Sequence, residues 1–340
     1  MPTADELKLL QRLPLDLKVK KTELRVHEWI RHYGESGVYV AFSGGKDSTV
    51  LLDIVRKLYP NIEAVFVNTG LEYPEIQQFV KTVENVTILR PEMRFDEVIK
   101  KYGYPLLSKE IARKVSGARF GKQWAMKYID GTATKANGEK SFYNVEKYKP
   151  LVNADFVVSS MCCNEMKKKP LHNFNKKFEK VPISAQTAEE SLARKYTWQK
   201  NGCNAFNVVH PISNPMSFWT EQDVLHYIKE SNLPICSVYG DVVPVNDENQ
   251  TVFDWGFVDL KTTGSDRTGC IFCGFGCHLE KEPTRFQRLK ETHPKQYKYC
   301  LGGGEFNERG IWQPNEKGLG LKYVFDEINK IYGENFIKYE

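Results

Sequence analysis

The spacing of apolar residues changes several times along the chain, and each change predicts a different element. From about Asp5 to Tyr33, Leu9, Leu10, Leu13, Leu17, Val26, Trp29 and Ile30 recur at helical intervals, with Pro14 dividing two helices. Residues 1–34 thus read as a helical lead-in. Val38 to Phe42 is a short unbroken apolar run, as suits a strand buried on both faces of a parallel sheet. After a glycine-containing loop, Val50, Leu51, Ile54, Val55 and Leu58 return to the helical period. Ile62 to Val67 and Val86 to Leu89 predict two further strands, separated by a helix from about Pro74 to Glu84. Such alternation implies right-handed crossovers and an α/β fold with a doubly wound parallel sheet. The corresponding nucleotide-binding domain is expected over 35–260.

Between 104 and 153 the pattern weakens into a Lys-, Gly-, Tyr- and Ser-rich stretch, read as an insertion or mobile segment near the mouth of a site. Val181 to Ser184 and Asn207 to His210 predict more sheet. Helices follow from about Ala188 and from about Thr220, the latter opening on a capping-box pair, Thr220 and Asp223. Residues 261–340 form a Cys-rich C-terminal extension that ends in a helix, Tyr323 to Tyr332. No internal repeat is evident.

Composition narrows the function classes. Hydrophobic residues make up 41% and charged residues 27% of 340, an ordinary globular composition, and no apolar run is long enough to span a bilayer. The polar, acidic start lacks the basic flank and apolar stretch of a signal peptide, so a cytoplasmic protein without a membrane partner is expected. A net charge of +5 permits a nucleic-acid partner without requiring one. Eight cysteines in such a compartment point to a metal or redox site rather than disulfides.

The loop after the first predicted strand carries the most specific chemistry: Ser43, Gly44, Gly45, Lys46, Asp47, Ser48 and Thr49. Two glycines let backbone amides approach a phosphate, the following helix adds its dipole, and the hydroxyls and Lys46 add donors and charge. The spacing is not that of a Walker loop. ATP or a close adenylyl nucleotide is the expected ligand, with Mg²⁺ bridging its phosphates and Lys46, Asp47 and Ser48 as catalytic candidates. Asn68, Thr69 and Gly70 end the second predicted strand, where ligands of such sheets bind.

Cysteines form a second constellation. Cys162 and Cys163 are adjacent, and Cys270 and Cys273 form a Cys-x-x-Cys pair flanked by glycines. Four thiolates suit a [4Fe–4S] cluster or, alternatively, tetrahedral Zn²⁺, although adjacent cysteines are unusual in zinc sites. Cys277 and Cys300 are reserve ligands, whereas Cys203 and Cys236 read as core cysteines.

With both constellations in hand, the chain resembles the phosphoadenosine-phosphosulfate (PAPS) reductase-like branch of the PP-loop superfamily, from about Val38 to Cys300. The segments that carry the likeness are Ser43 to Ser48, Asn68 to Pro74, Cys162-Cys163 with Lys167, Lys168 and Pro170, Gln186 to Ser191 with Arg194, Pro211 to Pro234, and Thr268 to Arg288. Phage and bacterial proteins of this family and DndC-type ATP pyrophosphatases look most similar. The resemblance implies an adenine nucleotide alpha hydrolase-like fold, Arg194 as a nucleotide-binding residue, and an iron–sulfur set on the four cysteines. In the DndC-type proteins the ligands come mainly from a C-terminal cluster. Two departures stand out: Thr187 replaces an arginine of the family pattern, and the Glu-Cys-Gly-x-His motif of true sulfonucleotide reductases is absent from this sequence.

The leading expectation is therefore an ATP pyrophosphatase acting in sulfur transfer or nucleic-acid modification, served by a sulfur-donor protein such as a cysteine desulfurase. A PAPS or adenylylsulfate reductase and a non-catalytic nucleotide-sensing subunit are the alternatives. Arg113, Lys114, Arg119 and Lys122, within a basic stretch from Lys109 to Lys127, are candidate nucleic-acid backbone contacts. A homodimer is an open expectation. His210 closing a strand, Trp198 and Trp219 read as structural, His278 as a hydrogen-bond donor beside the thiols, and Glu72 and Glu190 as orienting groups.

Overall fold

The computed structural model describes residues 2–245 and 258–340; residues 246–257, inside the expected nucleotide-binding domain, lie outside the described residues. The chain packs as two compact units. The first comprises Met1–Asn68, Glu72–Arg90 and Leu171–Thr268, and the second Thr69–Leu71, Pro91–Pro170 and Gly269–Glu340.

The apolar runs build the sheet of the first unit. Strands β1 (Val38–Ala41), β2 (Ala64–Val67), β3 (Val86–Leu89) and β4 (Val181–Ser184) are joined by the short β5 (Asn204–Ala205) and β6 (Ile212–Ser213). The order is β3-β2-β1-β4-β6-β5, parallel throughout except for the β5–β6 pair at the edge. Alternation along β1 fixes the two faces. Val38, Val40 and Phe42 join a core with Trp29, Leu51, Ile54, Ile76 and Trp219, while Tyr39 packs on the opposite face with Phe174. The chain runs outward from β1 through β2 and β3, then returns to place β4 on the other side of β1. That reversal creates the crevice in which doubly wound sheets bind ligands.

The lead-in folds as helices Ala4–Gln11 and Leu15–Tyr33, with Pro14 capping the second. Val26, Trp29 and Ile30 are buried against the sheet core. Lys18 is also buried, and its Nζ donates to both Asp223 carboxylate oxygens (2.7 and 2.6 Å) and to the Gln11 carbonyl (2.7 Å). Asp223 simultaneously completes the capping box of helix Glu221–Glu230 with Thr220. One carboxylate therefore ties the lead-in to the helix beside it.

Two expectations fail in this unit. Asn207 to His210 is not sheet: it is the loop between β5 and β6, and Val209 is 90% exposed. Pairing occurs instead where Asn204 is anchored by the Ser213 hydroxyl (2.7 Å) and the Arg25 carbonyl (2.9 Å). His210 closes no strand; its ring lies 4.4 Å from that of His172. The helix expected from Ala188 begins at Leu192, capped by Ser191.

In the second unit, the segment 104–153 is built into the fold together with the Cys-rich C-terminal residues. Helices Lys109–Arg119 and Gln123–Ile129 pack with a 3₁₀ helix, Glu146–Asn153. Their buried residues include Ala112, Val115, Ala118, Ala125, Ile129, Tyr148 and Leu151, with three alanines that give little apolar period. Three of the four expected phosphate contacts are engaged within the protein, and Lys122 is exposed. Lys114 is buried, donating to the Tyr143 carbonyl (2.7 Å). Arg119 donates to the carbonyls of Val152, Ala154 and Phe156, and Arg113 pairs with Glu110 and covers the Trp124 ring.

Breaking a buried ion pair by removing one partner strands the other charge. Lys18→Ala is expected to lower unfolding free energy by about 3 kcal/mol, read as a lower urea midpoint with unchanged slope.

Candidate functional site

The loop of the first unit leaves β1 at Phe42 and enters helix Lys46–Leu58 with Gly45 as its cap residue. Gly44 sits at φ +70°, and a Cβ there would stand 2.9 Å from side-chain carbons of both Ile76 and Val80. Conformation and packing thus both demand glycine. The loop amides point into hydroxyl groups: Ser43 donates to Ser48 Oγ (3.1 Å), Gly45 to Ser43 Oγ (3.3 Å) and Lys46 to the Tyr239 hydroxyl (3.2 Å). Ser48 and Thr49 hydroxyls donate back to the Gly45 carbonyl at 2.9 and 3.0 Å. Tyr239 in turn meets Thr268 Oγ1 at 2.5 Å.

Lys46 is buried. Its Nζ donates to the Asp266 carbonyl (2.7 Å) and pairs with Glu221 (3.0 Å). Burial pushes the Asp47 carboxyl up, Lys46 pulls it back, and Glu190 and Glu221 push it up again. Three carboxylates therefore feel one another beside the loop. Glu190 lies in the connection after β4, accepts from the Thr187 amide (3.5 Å) and pairs with Arg194. Glu190 and Arg194, expected near the nucleotide, thus share the β1–β4 end of the sheet with the loop. Asn68 follows β2 and reaches Gln77 at 3.5 Å. Thr69 and Gly70 belong to the second unit, where Thr69 Oγ1 accepts from the Leu71 amide at 3.2 Å. Glu221, Tyr239, Asp266 and Thr268 escaped the sequence reading, because each reaches the loop from about 170 to 220 residues away.

The second unit gathers the candidate thiols. The short run Tyr104–Leu107 is flanked by both cysteine segments. Tyr104 exchanges backbone bonds with Val157 and Ser159, just before Cys162, and Leu106–Leu107 pairs in parallel with Gly274–Phe275, just after Cys273. A Cβ on Gly274 would come within 2.7 Å of the Pro105 carbonyl oxygen, so the ladder requires glycine there. Burial, then Cys163, Cys270 and Cys273, push the Cys162 thiol well up, and Lys167 opposes them. The four cysteines thus share one electrostatic neighbourhood. A π-turn, Asn164–Lys168, follows the adjacent pair directly. Arg285 holds the other pair, donating to the Cys273 carbonyl (2.9 Å) and pairing with Glu280. Among the described residues no group of three or more His, Cys, Asp or Glu stands at the spacing that holds one metal ion.

Cys277 is buried, its thiol donates to the Gly274 carbonyl (3.0 Å), and burial pushes it up to about 12. Cys300 is fully buried, and burial pushes its thiol well up. Cys236 lies in the sheet core with Cys203 packed against it, as do Trp198 and Trp219. His278 does not donate to the thiols: its ring stacks on Phe336 at 5.2 Å, and burial lowers its basicity.

A parallel sheet of this order, with Ser-Gly-Gly-Lys-Asp-Ser between its first strand and the next helix, defines an α/β protein of the PP-loop superfamily. Residues 37–114 and 118–274 match the phosphoadenosine phosphosulfate reductase domain, and the chain belongs to that family. It is 26% identical over 236 residues to adenosine 5'-phosphosulfate reductase 2 of Bacillus subtilis, covering 65% of this chain and 75% of that protein. The adenosine 5'-phosphosulfate reductase of Lysinibacillus sphaericus is 27% identical over 252 residues, 73% of this chain and 88% of its own. An uncharacterized protein of Methanocaldococcus jannaschii is 23% identical over 329 residues, 92% of this chain and 61% of its own. No helix among the described residues is long and apolar enough to cross a membrane.

Gly44→Ala forces a side chain into the left-handed region against two packed branched residues. It is expected to destabilise the first unit by about 2 kcal/mol, seen as a lower melting temperature, and to abolish any thermal shift produced by ATP.

Proposed function

We propose that the chain binds an adenylyl nucleotide at the Ser43–Thr49 loop and cleaves ATP between its α- and β-phosphates, releasing pyrophosphate. The observation that carries this reading is the loop itself: three backbone amides and the buried Lys46 converge at the carboxyl end of β1, at the sheet's reversal point. Phosphate oxygens would take over the amides of Ser43, Gly45 and Lys46 from the hydroxyls they now meet. The Lys46 ammonium, released from Glu221, would neutralise the leaving pyrophosphate. Asp47 and Glu190 would hold Mg²⁺, which when bound offsets the charge growing on that leaving group. Arg194, set beside Glu190, would meet the nucleotide's anionic part.

A second reading, reduction of a sulfonucleotide to sulfite, is favoured by the names of the Bacillus and Lysinibacillus relatives. Against it, the four cysteines outside the Cys162, Cys163, Cys270 and Cys273 set are neutral buried thiols or core residues, none poised as a nucleophile. A third, nucleotide sensing without turnover, uses the same loop.

The four-cysteine set would hold an iron–sulfur cluster. The donor chemistry fits, since four thiols that feel one another electrostatically could each take a different iron of such a cluster. Such a cluster would supply electrons or cross-link the second unit.

Two experiments test these readings. With ATP and Mg²⁺, water serving as acceptor, the chain is expected to form AMP and pyrophosphate, and Lys46→Ala to slow this about 100-fold or more. Sulfite from adenosine 5'-phosphosulfate plus a dithiol, with no pyrophosphate from ATP, would establish the second reading instead. Anaerobically purified protein is expected to carry about four iron and four sulfide per chain, lost in Cys270→Ser; stoichiometric zinc would refute the cluster.

A further inference from the structure

The chain's positive charge is not spread evenly. Residues 109–149 contain ten lysines and arginines against four acidic residues, an excess of six in a chain whose whole net charge is +5. Within this segment each acidic residue is matched: Glu110 with Arg113 and Lys114, Asp130 with Lys149, Glu139 with Lys135 and Glu146 with Lys140. Lys122 and Lys127 are exposed and make no ion pair among the described residues. Lys147 lies over the Tyr148 and Phe336 rings rather than beside a carboxylate.

The same segment leaves five large apolar side chains in solvent: Phe120, Trp124, Met126, Phe142 at 89% and Tyr143 at 66% exposed. Two of the rings are held in place. Trp124 stacks beneath the Arg113 guanidinium (4.5 Å), and Tyr143 is fixed by its carbonyl to Lys114, whose ammonium lies 5.6 Å from the ring. Arg113 and Lys114 are neighbours on one helix, so both rings are set against the same turn, and Phe142 meets Tyr143 edge-on at 6.1 Å. The exposed Arg113, already paired with Glu110, and the buried Lys114 thus serve as mounts for exposed rings.

Fixed aromatic faces interleaved with unpaired lysines are the combination that binds single-stranded nucleic acid: bases stack on the rings and the backbone follows the charge. A duplex hides its base faces, and protein interfaces are depleted in lysine. We propose that the face formed by Trp124, Phe142 and Tyr143 with Lys122 and Lys127 is a binding platform for a single-stranded polynucleotide. The proposal stands independently of the reaction at the nucleotide loop.

The test uses the full chain and a fluorescein-labelled oligothymidylate of about a dozen nucleotides, followed by anisotropy over a salt series. Binding is expected with quenching of tryptophan emission, and with log affinity falling linearly against log salt. The pair Trp124→Ala and Phe142→Ala is expected to weaken binding about tenfold or more. Lys122→Gln with Lys127→Gln is expected to flatten the salt slope by roughly 1.4. All four positions are exposed, and unchanged melting curves would verify that the variants fold. Absence of oligonucleotide binding at about 50 mM salt, equal affinity for a duplex of the same length, or affinity unaltered in both variant pairs would overturn the proposal. So would binding to phosphatidylserine vesicles or to a protein partner in the absence of oligonucleotide binding.

Discussion

A buried ammonium must be neutralised where it stands, and Lys46 imposes that requirement on the first unit. It sits at the first turn of the helix after β1, closed off from water, and its charge is met by the Asp266 carbonyl and the Glu221 carboxylate. Those partners come from a distant loop and from the helix that Asp223 also fastens to the lead-in. The Tyr239 hydroxyl, bonded to the Lys46 amide, adds a third remote strut. The loop is therefore held by sequence-distant groups, and Ile76 and Val80 pack so closely behind Gly44 that no Cβ fits there. On the proposed reading, an anion arriving here would displace Glu221 from Lys46 and the hydroxyls from the loop amides, with the ammonium already in place.

Much of this was legible in the sequence, for local reasons. Strands β1 and β2 are uninterrupted apolar runs, β3 and β4 each carry a single polar residue, and the loop's glycines sit between a strand and a helix, so short-range pattern sufficed. The Thr220–Asp223 capping box was readable from spacing alone. What remained hidden depended on tertiary context. Asn207 to His210 has strand-like composition, but pairing went to residues whose side chains were anchored elsewhere. The helices of 109–129 pack through alanines, leaving little apolar rhythm to detect. Lysines and arginines counted as surface charge turned inward to carbonyls, which composition cannot reveal.

The cysteines illustrate the same division. Their spacing marked two pairs, and the structure adds the means by which they meet: a four-residue run flanked by the backbone of both segments. Cys162 feels Cys163, Cys270 and Cys273, and the buried Cys277, whose hydrogen goes to a neighbouring carbonyl, feels Cys273 in turn. Family membership accounts for the sheet and loop, while the chemistry of this chain turns on which thiols and cations its own packing leaves accessible.

The Tyr104–Leu107 run has a consequence for the order of events in synthesis. Cys162 and Cys163 leave the ribosome more than a hundred residues before Cys270, and the second pair aligns only when Gly274 and Phe275 dock beside Leu106 and Leu107. At about 5–20 residues per second, the first pair waits on the order of ten seconds as unpartnered thiols. Any inserted cofactor is thus assembled late, on a nearly complete chain, and truncation before residue 270 would leave a half-site rather than a weaker whole one.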